Sequence, residues 1–378
     1  MKIALIGQKG IPAISGGIEK HVEEVATRMA QQGHEVFVYV RDNYTDKNLA
    51  KYKKVNLVHL PSIPTKHLDA ISHTFFSSVH ALFSGYDVVH YQGIGPNLLN
   101  WIVKFFKPKA ALVSTFHCQD YYHQKWGWFA RLSLKIGEYM TCAVPDSAIS
   151  VSKSLADLSK ERYGVDSKVI PNGAELAHTD SVKNIAQWGL KDKSYVLSVG
   201  RLIKHKGVHY LIEAFKKLED TSKLPNNFKL VIVGDGFHTD DYVKYLRTIS
   251  EGRENIIFTG RQSGDTLKEL FSHALLFVQP SESEGLSIAL LEAMGYGLAP
   301  LVSDIKENLE PIGPCGFSFK SKNVDDLRDK LAYLLNRPHE MRAAGMCARG
   351  RIESEYSWDS IAQRILGEYK NVMEKKSK

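Results

Sequence analysis

Two carboxylates and one basic loop are the residues of this chain best suited to chemistry. Glu284 and Glu292 stand in the stretch Ser281-Glu-Ser-Glu-Gly-Leu-Ser-Ile-Ala-Leu-Leu-Glu292-Ala-Met-Gly295. Read as positions on one helix, they are separated by a rise of ~12 Å and point ~80° apart. Such a pair is poorly placed to share a proton and well placed to hold two ends of a long ligand. Carboxylates accept hydrogen bonds from sugar and ribose hydroxyls. The backbone N–H groups of Gly285, Leu286 and Ser287 would face a phosphate between them. The plainer alternative makes Glu284 an electrostatic helix cap and Glu292 a solvated residue.

The basic loop is Gly200-Arg201-Leu-Ile-Lys204-His-Lys206-Gly207. Its glycines allow close backbone approach, and Arg201 and Lys206 could neutralise a diphosphate without a metal. A solvated basic loop is the ordinary alternative. Near the N-terminus, the loop 7–17 ends in Gly16-Gly17 and feeds a helix. It lacks the G-x-G-x-x-G order of a dinucleotide site, yet suits approach to phosphate or sugar. His117, at the end of an apolar run, could hydrogen-bond a sugar or a departing phosphate, although a lone histidine is more often structural. No Asp-x-Asp, H-E-x-x-H, P-loop or G-x-S-x-G motif occurs. No metal site is expected, and hydrolase and kinase readings lose support.

These residues need elements to position them, and the chain repeats a strand-then-helix rhythm. Strands are predicted over 2–6, 35–40, 55–60, 88–91, 111–116, 148–151 and 168–170, and a first helix over 18–32, with Val22, Val25, Ala26 and Met29 at helical spacing. After a polar, linker-like stretch over 176–194 the rhythm restarts, with strands over 195–199, 229–233, 256–259, 275–279 and 299–302 and a helix over 208–218. The pattern implies two doubly wound α/β domains with parallel sheets, facing a central cleft, and ligands outside the carboxyl ends of the strands. The expected boundaries are 1–175 for an acceptor-side domain, 176–352 for a donor-binding domain and 353–378 for a helical segment that could cross back.

The chain has 378 residues, 43% hydrophobic and 24% charged, with a net charge of +7. This is ample for two packed cores. The modest basic excess suits an anionic partner, and no nucleic-acid module is present. Nothing reaches the ~18 apolar residues of a membrane span, and the start reads as a strand, not a signal peptide. A cytoplasmic protein is expected. Residues 98–109 mix aromatic and basic side chains, as interfacial helices do. A buried amphipathic helix is the commoner explanation, and peripheral contact with an anionic membrane at its inner face stays open beside it. Cys118, Cys142, Cys315 and Cys347 are widely spaced and are expected to be independent thiols in a reducing compartment.

Glu284-x7-Glu292, Gly200-Arg201 with Lys206-Gly207, Ile170-Pro-Asn172-Gly173 and Gly16-Gly17 occur in an order that resembles the family 4 retaining glycosyltransferases of GT-B fold. The resemblance runs from Lys2 to Tyr356-Ser-Trp358. The opening Gly10-Ile-Pro-Ala with Gly16-Gly-Ile-Glu19 looks like a bacterial, rhamnosyltransferase-like subgroup of surface-polysaccharide assembly. The family implies that Arg201 and Lys206 grip the donor diphosphate. Glu292 would bind the ribose, and Glu284 with Gly285–Ser287 the transferred sugar and diphosphate. Gly16 and Gly17 would line the phosphates, and His117 would sit near the sugar. It also implies a nucleotide-sugar donor, a glycan or lipid-linked acceptor, no cofactor and retention of configuration without a protein nucleophile. A nucleotide-sugar epimerase on the same plan, or a catalytically silent nucleotide-sugar-binding protein, are the alternatives.

Overall fold

A computed structural model describes residues 1–377 apart from 66–67, 120, 122–126, 222–223, 226 and 237–238. The chain divides into two compact units, one of Met1–Gly173 with Trp358–Lys378 and one of Ala174–Ser357.

The first unit contains strands Lys2–Ile6 (β1), Glu35–Arg41 (β2), Lys51–Tyr52 (β3), Val55–Leu60 (β4), Val88–Gln92 (β5), Ala111–Phe116 (β6), Ser147–Ser150 (β7) and Lys168–Val169 (β8). They form one sheet in the order β3-β4-β2-β1-β5-β6-β7-β8. All neighbours are parallel except the short β3–β4 pair. Every residue of β5 and β6 is buried, because helices cover both faces of a parallel sheet. Helix α1 (Gly17–Gln31) joins β1 to β2. Helices α2 (Asp69–Phe83), α3 (Ile94–Asn97), α4 (Asn100–Phe106), α5 (Trp128–Ala143) and α6 (Lys153–Tyr163) serve the crossovers from β4 to β8. The latter crossovers run across the sheet in the direction opposite to α1. Right-handed connections therefore place α2–α6 on one face and α1 on the other.

The second unit contains β9 (Tyr195–Val199), β10 (Lys229–Val233), β11 (Ile256–Gly260), β12 (Leu276–Gln279), β13 (Ala299–Ser303) and β14 (Phe317–Phe319). They lie in the order β11-β10-β9-β12-β13-β14 and are all parallel. Helices α7 (Val208–Asp220), α8 (Asp240–Ile249), α9 (Gly264–His273), α10 (Ile288–Gly295), α11 (Lys306–Ile312), α12 (Val324–Leu335) and α13 (Pro338–Glu355) surround that sheet. Its core gathers Leu211, Ile212 and Phe215 of α7 with Leu230 and Ile232 of β10 and Leu301 of β13. Helix α14 (Trp358–Ser377) belongs to the first unit. There Tyr369 bonds His90 on β5 (2.7 Å), Glu368 accepts from Ser147 (2.7 Å), and Arg28 of α1 pairs with Asp359 (2.7 Å).

Four expectations change. Residues 353–355 continue α13 and so lie in the second unit, and the divisions fall at 173/174 and 357/358. The Ala174 amide donates to the Tyr356 carbonyl (2.9 Å), and Ala174 bridges Ser357 in β fashion, a pairing of distant backbones that no local pattern reveals. The stretch over 176–194 is no loose linker. The buried Glu269 carboxylate accepts from Ser181 Oγ (2.7 Å), Asn184 N (2.7 Å) and Ile185 N (3.2 Å). Cys315 and Cys347 are joined as a disulfide with Cα atoms 5.2 Å apart, while Cys142 is a buried thiol. Helix α13 packs on β13 and α10 and brings the two cysteines together across the fold. Finally, α4 buries Ile102 and Val103 but exposes Trp101, Phe105 and Phe106, so the segment is only in part the buried amphipathic helix expected. No described helix is long and apolar enough to cross a membrane.

Candidate active site

In each sheet the strand order reverses at one point: between β1 and β5 in the first unit, and between β9 and β12 in the second. Adjacent loops there leave in opposite directions and open a crevice at the carboxyl ends of the strands. The loops singled out from sequence fall at these two points.

In the second unit, the loop after β9 carries Gly200, Arg201 and Lys206, and the loop after β12 carries Glu284 and Gly285. Gly200, Arg201, Lys206, Gln279 and Pro280 line a common recess. Two glycines make the approach possible. Gly207 has φ +69°, and a Cβ there would collide with the Pro280 carbonyl. Gly234 after β10 has φ +140°, and its Cβ would collide with the Gly200 carbonyl. Both positions need a backbone that L side chains rarely adopt. The Lys206 Nζ then reaches both Glu284 oxygens, at 2.6 and 2.8 Å. Burial pushes the Glu284 carboxyl up, but the charge and hydrogen bond of Lys206 outweigh it and hold it below the usual carboxylate range. Arg201 is exposed beside this pair. A second carboxylate, Glu282, accepts from Tyr210 OH (2.9 Å) and pairs with Lys322 (3.0 Å), while its amide donates to the His205 carbonyl (2.7 Å). These contacts clamp the basic turn to the acidic loop.

Glu284 is not on the helix with Glu292. The chain bends at Gly285, and α10 begins only after Ser287, whose hydroxyl caps it by accepting from Leu290 N (3.3 Å). The ~12 Å helical spacing therefore does not apply, and only Glu292 rides on α10. Capping takes one of the amides that a helix start leaves without an intrahelical partner, while the others carry the positive end of the helix dipole. Glu292 is half-buried, and burial, then Glu292 and Glu175, push the Tyr296 phenol up to about 12.

A buried polar chain that the sequence did not disclose holds this loop at both ends. Ser287 Oγ donates to Gln279 Oε1 (2.7 Å), Gln279 Nε2 to Asn308 Oδ1 (2.6 Å), and Asn308 Nδ2 to Ser303 Oγ (2.9 Å). Ser303 Oγ in turn donates to the Ser281 carbonyl. Asn308→Ala orphans two buried partners and should lower stability by about 3 kcal/mol. Its thermal unfolding checks this, and a melting temperature equal to that of the parent would show that the chain of bonds does not hold the loop.

In the first unit, Gly16 occupies the N-cap of α1 without a side-chain cap, and Gly17 opens the helix. The preceding loop is pinned from the helix. Glu19 accepts from Lys9 N (3.1 Å) and Glu23 from Ala13 N (2.6 Å), while Tyr44 OH accepts from Ile14 N (2.7 Å) and Ser15 N (2.9 Å). His117 is buried after β6, and its Nε2–H donates to Gln92 Oε1 at the end of β5 (2.8 Å). Edge-on to it, with ring centroids 4.9 Å apart, lies His21 on α1, a residue that sequence reading passed over. His21 Nδ1–H donates to Asn172 Oδ1 (3.0 Å), which leaves Nε2 as a buried acceptor with no hydrogen-bond partner among the described residues. Burial lowers its pKa to about 4 against the opposing pull of Asn172, so the ring is neutral. Asn172 thus gives the Ile170-Pro-Asn172-Gly173 stretch a physical task, fixing an imidazole tautomer beside His117. The one available signal was that His21 follows Gly16-Gly17 by about one helical turn.

The fold matches that of solved structures. A crystal structure of Anabaena HepE in complex with UDP and glucose superposes with a TM-score of 0.80 at 20% identity, covering 98% of this chain and 100% of the other. The family model described as Glycosyltransferase Family 4 matches residues 15–178, and the one described as Glycosyl transferases group 1 matches residues 180–351. The chain is a GT-B glycosyltransferase. Among its relatives is an uncharacterized glycosyltransferase of Methanocaldococcus jannaschii, 27% identical over 99% of each chain. Another is the alpha-monoglucosyldiacylglycerol synthase of Streptococcus pneumoniae, 27% identical over 79% of this chain and 70% of that protein. The boundary between the two family matches lies close to the structural division of this glycosyltransferase at 173/174.

Proposed function

We propose that the protein transfers a hexose or deoxyhexose from a nucleoside-diphosphate sugar to a glycan or lipid-linked acceptor of the bacterial envelope, with retention of configuration and without a metal. The observation that carries this reading is the Lys206–Glu284 pair beside exposed Arg201 at the β9/β12 reversal. Lys206 and Arg201 supply the positive charge that a departing diphosphate requires, in a recess where such charges act strongly. Glu284, ionised by its partner, accepts from hydroxyls of the transferred sugar, and Glu292 from those of the ribose. The basic groups and the start of α10 take the place of a divalent cation. With both Glu284 oxygens engaged by Lys206, the acceptor proton goes to the leaving diphosphate as the new bond forms on the face it vacates. Within the first unit, Gly16 and Gly17 at the start of α1 suit a phosphate group and His117 a sugar hydroxyl. HepE, crystallised with UDP and glucose, and the relative named for synthesis of a glucosylated diacylglycerol support the donor and acceptor classes.

A thermal-shift screen against nucleotides and nucleotide sugars tests the donor, with UDP-glucose as the first member. A true donor at 100 times its dissociation constant should add about 2.7 kcal/mol of stability. No shift with any member of the panel would remove the donor reading. Product with an inverted anomeric centre, seen by NMR, would remove retention.

A further inference from the structure

Two helices of the first unit are built inside out, and a third exposes an aromatic side. An ordinary surface helix buries its apolar stripe, as α7 does with Val208, Leu211, Ile212, Phe215 and Leu218. Helix α2 instead buries His73, Thr74, Ser77 and Ser78 and exposes Phe75, Phe76 and Phe83. Its buried hydroxyls are satisfied within the helix, Thr74, Ser77 and Ser78 each donating to the carbonyl four residues back (2.7–2.8 Å). Helix α5 buries Gly137, Glu138, Thr141 and Cys142 and exposes Trp128, Phe129, Leu132, Ile136 and Tyr139. Helix α4 buries Ile102 and Val103 in the ordinary way but exposes Trp101, Phe105 and Phe106. Phe83, Phe105, Phe106, Trp128 and Phe129 are between 68% and 87% exposed, far beyond scattered surface apolar residues.

These helices share one face of the sheet, and α4 packs against both α2 and α5, so their aromatic sides are neighbours. On α5 and just after α4 the exposed charges are basic. Lys109, Arg131 and Lys135 are exposed and form no ion pair among the described residues. The acids on the three helices are neutralised within the fold: Asp69 pairs with Arg41 (2.6 Å), and the buried Glu138 with Arg162 (3.0 Å).

We propose that the exposed face of α2, α4 and α5 docks on an anionic lipid bilayer, with its aromatic side chains at the headgroup–acyl boundary and Lys109, Arg131 and Lys135 against the headgroups. Aromatic rings with an adjacent fringe of cations are the combination that an interface between water and anionic lipid rewards. A second copy of the chain is a worse occupant, because a self-complementary contact would bring the same three cations of both copies together. This inference stands apart from the donor reading and would hold whichever sugar is transferred.

Co-sedimentation of the full chain with vesicles tests it, using phosphatidylcholine alone and phosphatidylcholine mixed with phosphatidylglycerol, at low and high salt. The protein should pellet with the anionic vesicles at low salt and lose binding as salt rises. Arg131→Ala with Lys135→Ala should weaken that binding about 25-fold, since each cation near an anionic surface is worth about fivefold. Phe105→Ser with Phe106→Ser, and separately Trp128→Ser with Phe129→Ser, should reduce binding further while the far-UV spectrum and melting temperature stay those of the parent. The proposal is overturned if the parent chain stays in the supernatant with anionic vesicles at low salt. It is equally overturned if the aromatic variants pellet as the parent does, or if sedimentation velocity shows a parent dimer that these variants dissolve.

Discussion

Replacing Lys206 by alanine is expected to reduce turnover by about 10²–10³-fold, the range found when one preorganised charge-stabilising donor is removed. It should also cost stability. The Glu284 side chain is only 8% exposed, so deleting its partner leaves a buried, unpaired carboxylate. Breaking a buried pair costs up to about 5 kcal/mol, and the one-fifth exposure of Lys206 places this case nearer 2–3 kcal/mol. The two losses separate in the double variant Lys206→Met, Glu284→Gln. With no charge left to orphan, most of the stability should return while turnover stays low. Urea unfolding and steady-state kinetics on the donor found by the thermal-shift screen measure both quantities. Turnover in Lys206→Ala equal to that of the parent would make the pair a structural clamp and remove the chemical reading of the site.

The second large effect is acid sensitivity of the first unit. His21, His73 and His90 are all essentially inaccessible, and burial, the leading cause in each, depresses their pKa values to about 4, 4 and 3. In the unfolded chain they return to about 6.5. Above that pH both states are neutral and the histidines exert no pull. As pH falls from 6.5 toward 4, the unfolded chain takes up protons that the folded unit refuses, and stability declines. With all three engaged, the slope approaches ~4 kcal/mol per pH unit near pH 5. The lowered carboxyls of Glu24, Asp69 and Asp146 act in the same direction at lower pH. Urea midpoints at pH 7 and pH 5 should differ widely, and His90→Gln should flatten the dependence by about a third. Equal midpoints at the two pH values would mean that these rings are not held neutral.

The sheets were readable in the sequence because parallel strands buried on both faces write nearly continuous apolar runs, such as those over 3–6 and 230–233. The missed strands are those without such a run. Lys51–Tyr52 is a two-residue edge, and Phe317–Phe319 pairs only with β13. At the site, residue types could be chosen from sequence, but not their connections. Glu284 and Glu292 read as two positions of one helix, and the cap at Ser287 decides that only the second is helical. The partnership of Lys206 with Glu284 depends on two glycines, Gly207 and Gly234, that let loops from different strands touch. The bonds linking Ser287, Gln279, Asn308 and Ser303 left no local trace, because each contact joins separate elements. The disulfide is the same case: spacing along the chain says nothing about two cysteines brought together by a helix packing on a strand.

Helix α14 has a consequence for how the protein is made. Trp358 and Tyr369 are buried in the first unit, and Tyr369 bonds His90 inside its sheet. On the ribosome these residues follow the whole of the second unit. The unit translated first is therefore finished last, and the part of its sheet that α14 covers waits while residues 174–357 emerge. Until α14 arrives, the Val88–Gln92 region is a candidate client for a chaperone that binds nascent apolar strands.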